Sequence, residues 1–198
     1  MSTKRIDKFQ KIRDQRYEQL SQAALQLFSS KGFAATKISE ITSSVNLSHG
    51  LFYHYFDSKE DAYVSIVLDV LDLFIRSVDD AASQSGSPRD QLVWLTKMSH
   101  EGATKKGLYR HVILLQAFDS KELSDEVKQT MSEKYKSAID GISRIIANGQ
   151  EQGLFIDGDP TELAIYFMSL SHGLNLWNAR DILQVEISVD KVLRLIER

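Results

Sequence analysis

The chain has 198 residues, 42% of them hydrophobic and 26% charged, with 10 Gly, 2 Pro and no Cys. These values exclude a disordered chain, disulfides and thiolate metal sites, and the scarcity of helix breakers favours an all-helical protein with one medium domain or a small one joined to a larger. The formal charge of -3 conceals a division: residues 1–60 carry nine Lys/Arg against six Asp/Glu, +3, which leaves -6 for the rest.

Phosphate binding depends on local charge, so this asymmetry suits a basic binding module on an acidic body, with a solvated basic face as the alternative. The opening MSTKRIDKFQKIRDQRYEQL lacks the apolar segment of a signal peptide, and no uncharged apolar run approaches roughly 18 residues. A soluble, cytoplasmic protein without membrane association is expected.

In chain order, residues 1–9 are polar and read as a mobile arm. From about Lys11, Tyr17, Leu20, Ala24, Leu27 and Phe28 form one helical stripe that ends at Lys31-Gly32, where glycine closes the helix left-handed and Phe33 folds back on the last turn. Thr36 is expected to cap a second helix with Ile38, Ile41 and Val45 on one side. Asn46 tolerates a left-handed turn, and Ser48 then caps a third helix, with Leu47 and Phe52 placed as a hydrophobic staple. Phe52 and Phe56 share its buried side, and His49, Gly50, Tyr53 and His54 are left on the surface. Ser58 with Asp61 opens a fourth helix over 59–78, apolar on more than one side and a bridge between modules.

Ser87-Pro88-Arg89-Asp90 starts a fifth helix carrying Leu92, Trp94, Leu95 and Met98, expected to end at Lys105-Lys106-Gly107, followed by a short helix over 108–118. Leu123, Val127, Met131, Tyr135, Ile139, Ile142 and Ile146 keep one face of a seventh helix, expected to be the longest and closed at Gly153-Leu154. Asp159-Pro160-Thr161-Glu162 opens an eighth, in which Ser169, Ser171 and Gly173 permit close helix approach. A ninth segment, 188–198, has Val189, Val192, Leu193 and Ile196 at helical spacing.

Two short helices joined by a three-residue break, the second opened by serine, have the geometry of a helix-turn-helix. Gly50 lets the backbone approach DNA, His49 and Leu51 suit base edges, and Thr36, Ser48, Tyr53 and His54 supply phosphate donors. Lys59 lies at the wrong end of a helix dipole unless an anion joins it. Periodicity alone leaves open that Phe52, Tyr53, Tyr55 and Phe56 are all core and Lys59 merely solvated.

The run Leu20-x-x-Ala23-Ala24-x-x-Leu27-Phe28-x-x-Lys31-Gly32-Phe33-x-x-Thr36, then Ile41 and Ser48-x-Gly50-x-Phe52-Tyr53-x-Tyr55-Phe56-x-Ser58-Lys59-Glu60, resembles the N-terminal domain of TetR-family transcriptional repressors over residues 12–65. The resemblance implies an all-α protein: a three-helix helix-turn-helix domain, 1–58, and a helical effector-binding and dimerisation domain, 59–198. It implies phosphate contacts from Thr36, Tyr53, His54 and Lys59, base contacts around Ser48, His49, Gly50 and Leu51, and a DNA-facing Lys37. Its implied partners are a palindromic double-stranded operator, a second copy of the chain and a small-molecule inducer. Thr42 departs from the usual alanine, Asn46 from glycine, and His49 and Leu51 from lysine and threonine, which leaves the operator sequence open.

The implied dimer interface is helices eight and nine, through Phe167, Ser171, Leu174, Val189, Val192, Leu193 and Ile196, although these stripes also suit the chain's own core. Candidate pocket residues are Trp94, Met98, His111, Phe118, Met131 and Tyr135, large or flexible side chains that equally suit plain core. The five histidines lack metal or catalytic spacing and no phosphate loop or nucleophile elbow occurs, so no enzyme, metal or cofactor is expected. His100-Glu101 is the sole adjacent acid-base pair. A constitutive DNA-binding regulator without inducer is the other reading.

Overall fold

A computed structural model describes residues 2–101, 105–179 and 188–198. Among these the helices are α1 (Ser2–Lys31), α2 (Ile38–Ser44), α3 (His49–Phe52), α4 (Lys59–Ala82), α5 (Pro88–Glu101), α6 (Lys105–Phe118), α7 (Asp125–Glu151), α8 (Pro160–Ala179) and α9 (Val189–Leu193). The chain forms two compact units, Met1–Leu68 with Val112–Leu123, and Asp69–His111 with Ser124–Arg198. The first unit thus runs past residue 58, because α4 begins within it.

Local signals set most helix ends as expected. Gly32 has φ 83° and its N–H bonds the Phe28 carbonyl at 2.9 Å, while Asn46 takes φ 55° between α2 and α3. The Ser48 hydroxyl accepts from Leu51 N–H, Ser58 from Asp61 N–H, and Asp90 accepts from both the N–H and the hydroxyl of Ser87. The Asp159 carboxylate accepts from Thr161 N–H at 2.7 Å, opening α8.

Five expectations are corrected. Residues 2–9 continue α1 rather than forming an arm, which makes α1 (30 residues) longer than α7 (27). Nothing up to Lys31 breaks a helix, and Gln10–Asp14 and Arg16–Gln19 bonds reinforce it. Lys105, Lys106 and Gly107 lie inside α6 instead of ending α5. Thr36 does not cap α2; Lys37 precedes it, and Glu40 accepts from the Lys37 N–H at 3.1 Å. The last segment is helical only over Val189–Leu193, after which Glu197 makes an antiparallel bridge with Phe155.

The first unit is built on aromatic contacts. Tyr17 packs on Phe56 (5.5 Å between ring centres), Phe52 on Phe56 (5.2 Å), and Phe28 on both Phe33 and Tyr63. Burial and the Glu122 carboxylate push the Tyr63 phenol up to about 12, so it stays neutral.

The second unit has its own core, with Leu92, Ile142, Ile146, Phe155, Ala164 and Leu193 among its innermost residues. Two backbones approach side chains closely: a Cβ on Gly141 would lie 2.5 Å from Val78, and one on Gly149 2.2 Å from the fully buried Phe155 ring. Arg89 holds the C-terminal segment, reaching Glu197 and Asp190 at 2.7 Å each.

The Phe155 ring has no room to move, so Gly149→Ala is expected to overpack the second unit. The loss should be about 1–3 kcal/mol, read as a lower urea midpoint; an unchanged midpoint would mean that the ring is loosely held.

Candidate functional site

The break 45–48 and helix α3 present a compact surface. Phe52 and Phe56 are buried, fixing α3 from beneath, whereas Ser48, His49, Gly50 and His54 are exposed and Tyr53 is 50% exposed. Tyr55 is half-buried against Tyr17. The reading in which all four aromatics are core therefore holds for Phe52 and Phe56 only. The His49 and Tyr53 rings lie 5.4 Å apart, and no Cβ placed on Gly50 would meet another atom within 4 Å. A backbone ligand could thus approach Gly50 without obstruction.

An open groove beside α3 is lined by Arg13, Leu51, His54 and Tyr55. Arg13 is exposed and was absent from the sequence-based site residues. It stands one helical turn before Tyr17, whose ring touches Tyr55 and Phe56, so the same face of α1 carries both; helical spacing relates Arg13 to Tyr17, but only the fold brings that face to α3. Lys37 is also exposed, at the start of α2. The nearby Glu40 carboxyl is held below the usual range by Lys31, 2.7 Å away, and by the Lys37 N–H.

Thr36 and Lys59 have other employment. Thr36 is 1% exposed and its hydroxyl donates to the Gly32 carbonyl at 2.8 Å, which closes α1 and leaves no phosphate donor on the surface. The Lys59 ammonium donates to the carbonyls of Phe33 (3.0 Å) and Thr36 (3.1 Å) and sits 4.2 Å from the centre of the Phe33 ring. The partial negative charges that answer its position at the head of α4 are backbone carbonyl oxygens of the α1–α2 turn. One N–H of the ammonium is left for any other acceptor.

In the second unit the expected pocket residues separate. Met131 is wholly buried, Trp94 and Tyr135 pack against the core, and Met98 is surface-exposed. Phe118 is exposed and belongs to the first unit. His111 instead meets His172, with ring centres 4.3 Å apart, and Phe74 touches both His172 (5.8 Å) and Tyr135 (6.1 Å). Phe74 and His172 were not foreseen, since a lone histidine on an apolar helix carries no pattern. Burial pushes the His111 imidazole down; burial and then His111 push His172 down to about 3.

The stripes assigned to a dimer face mostly point inward. Phe167, Ser171, Val192, Leu193 and Ile196 are buried in the subunit, and Leu174 and Val189 pack on the same core. Ile165, Tyr166 and Trp177, on the opposite face of α8, are 45%, 54% and 52% exposed. The side chains of His100 and Glu101 lie outside the described residues. Among those described, no cluster of three metal-ligating side chains occurs, and no helix is long and apolar enough to cross a membrane.

Residues 20–64 match the family model described as bacterial regulatory proteins, tetR family. The chain is 26% identical over 168 residues to the HTH-type transcriptional regulator YfiR of Bacillus subtilis (strain 168), spanning 82% of this chain and 79% of that protein. It is 27% identical over 140 residues to the HTH-type transcriptional repressor KstR2 of Mycolicibacterium smegmatis, spanning 68% and 66% respectively. The crystal structure of AibR in complex with isovaleryl coenzyme A and operator DNA shares the fold, with a TM-score of 0.68 at 20% identity over 90% of this chain and 94% of that one.

The three interactions of Lys59 predict a structural contribution. Lys59→Met should lower stability by about 1–3 kcal/mol in urea unfolding, whereas Lys37→Met, on the open surface, should stay within about 0.5 kcal/mol. Equal midpoints for the two variants would remove the turn-locking role from Lys59.

Proposed function

We propose that this chain, whose residues 20–64 match the tetR family of bacterial regulatory proteins, is a homodimeric, cytoplasmic repressor that leaves a palindromic operator when a small molecule enters its second unit. The observation that carries the DNA-binding part is the exposed surface 48–54, backed by two buried phenylalanines. Bases are read by His49, Gly50 and Leu51, with Ser48 at the head of α3. Tyr53 and His54 hold phosphate, joined by Arg13 in the groove beside α3 and by Lys37. Lys59 acts chiefly through the turn that carries Lys37.

In functional terms residues 1–58 read DNA, and residues 59–198 bind effector and partner. Helix α4 runs unbroken from Lys59 through the end of the first unit into the second, so a shift of α4 is the covalent route from effector to reading helix. Effector binding then selects a state in which the two copies of α3 no longer match successive major grooves, about 34–36 Å apart. The neighbour crystallised with both an acyl-coenzyme A and operator DNA supports the pairing of the two ligand types. The effector site is centred on Phe74, His111, Tyr135 and His172.

The second copy docks on the outward face of α8. Ile165, Tyr166, Ser169, Gly173 and Trp177 recur three and four apart, placing them on one stripe. Gly173 has nothing within 4 Å of a Cβ position, which leaves room for a neighbouring helix. This face replaces the inward residues first assigned.

Gel shifts against DNA upstream of the chain's own gene test the reading. Arg13→Ala and Lys37→Ala should each weaken binding on every sequence and flatten the log–log salt slope by about 0.9, while His49→Ala should change sequence preference. Unchanged slopes would take both cations off the phosphate backbone.

Sedimentation tests the dimer. The chain should sediment as a dimer at micromolar concentration and Ile165→Asp as a folded monomer. A variant that stays dimeric would move the interface off α8.

A further inference from the structure

The second unit contains a polar pair that the fold does not use. His111 on α6 and His172 on α8 meet edge to face, 4.3 Å between ring centres, without hydrogen-bonding to each other or to any described residue. Each neutral imidazole brings one N–H donor and one lone-pair acceptor. Both rings are half-buried, so their polar edges are largely withdrawn from water yet open to a guest that completes their hydrogen bonds. One residue from His172, the Ser171 hydroxyl is buried without a partner.

The surroundings define that guest. Phe74 on α4 and Tyr135 on α7 add aromatic faces, so the bulk of the molecule is apolar. No fixed charge addresses the pair. Asp72 on α4 and Lys134 on α7 are bonded to each other. The charged residue of α8 is Glu162, which is exposed and engaged with Tyr166. Arg110 on α6 acts on neither ring: desolvation alone moves His111, and His172 feels desolvation and His111.

We propose that this histidine pair is the head-group seat for an apolar carboxylic acid, which binds with net uptake of one proton. The inference rests on the effector-site reading above and gives it a ligand class. A carboxyl group matches the pair atom for atom: its carbonyl oxygen accepts from one imidazole N–H, and its proton is shared with the lone-pair nitrogen of the other ring. An ester or ketone only accepts and would leave that nitrogen unpaired. An alcohol makes both bonds but offers no acidic proton to share, so it makes no use of the imidazole's basicity.

The pH sign follows. Both rings are neutral near pH 7 in the free protein, the free ligand is a carboxylate, and the complex holds one proton more than the separated partners. Affinity therefore falls as pH rises, about tenfold per unit above the carboxylic acid's own pKa.

The test titrates the full chain with octanoate, decanoate and phenylacetate, each beside its alcohol and methyl ester, by calorimetry between pH 6.5 and 8.5 in buffers of different ionisation enthalpy. At least one acid should bind at least tenfold more tightly than its alcohol and ester, with uptake of about one proton. His111→Phe and His172→Phe, checked for native helicity and melting, should each weaken the acid at least tenfold and the ester, which makes at most one of the two bonds, by a smaller factor. Overturning results are an ester or alcohol that binds as tightly as its acid, pH-independent acid binding, acid binding unchanged in both folded variants, or no acid bound at 1 mM. Operator release is scored separately by gel shift. An acid that binds without releasing DNA sinks the effector reading and keeps the site, and release by a non-acid alone does the reverse.

Discussion

The ammonium of Lys59 is the constraint on which the proposed DNA-reading surface depends. It binds two carbonyls of the turn between α1 and α2 and covers the Phe33 ring, so one cation joins the end of α1, the start of α2 and the head of α4. Helix α3 has four residues, too few to be stable alone, because a first helical turn fixes several residues for one hydrogen bond. Its geometry must be imposed from outside. Phe52 and Phe56 anchor it from below, Tyr17 supports Phe56 from α1, and the Lys59 knot fixes the ground on which α1 and α2 meet.

This explains which parts of the site were legible in the sequence. Roles fixed by neighbours within four residues were readable: the left-handed closures at Gly32 and Asn46, and the caps at Ser48, Ser58, Asp90 and Asp159. Helical spacing also put Phe52 and Phe56 on one buried side, while the places of Tyr53 and Tyr55 stayed open to it. Roles fixed by distant partners were not. Thr36 has the type and position of a phosphate donor, yet its hydroxyl is spent on Gly32. Lys59 was singled out for a genuine electrostatic oddity, but the oddity is answered by carbonyls 23 and 26 residues away. Arg13 lay too far from α3 in sequence to be joined to it.

The C-terminal helices show the same limit in apolar form. A stripe at helical spacing says that a face is buried without saying against what. On α8 both faces carry large apolar residues; Phe167 and Leu174 enter the subunit's own core, and Ile165, Tyr166 and Trp177 stay outside it. The final segment is drawn inward by forces periodicity cannot register: the Arg89 fork on Asp190 and Glu197, and the backbone bridge to Phe155. An apolar face left over after the core is complete is the better marker of a partner than the strongest stripe.

Polar groups obey a parallel rule. Buried hydroxyls of the first unit mostly close its backbone, as Thr36 does on Gly32 and Thr42 on Ile38, with Ser21 unpartnered. In the second unit His111, His172 and Ser171 are desolvated with no such return among the described residues. Withdrawing two imidazoles even partly from water costs stability unless they are paired, and apolar residues of similar size would fill the space at no such cost. Two half-buried basic rings, met by side chains of α4 and α7, therefore suit a molecule that supplies the hydrogen bonds they lack. One of those helices is α4, whose other end begins at Lys59, so the proposed effector site and the proposed reading surface share one continuous helix.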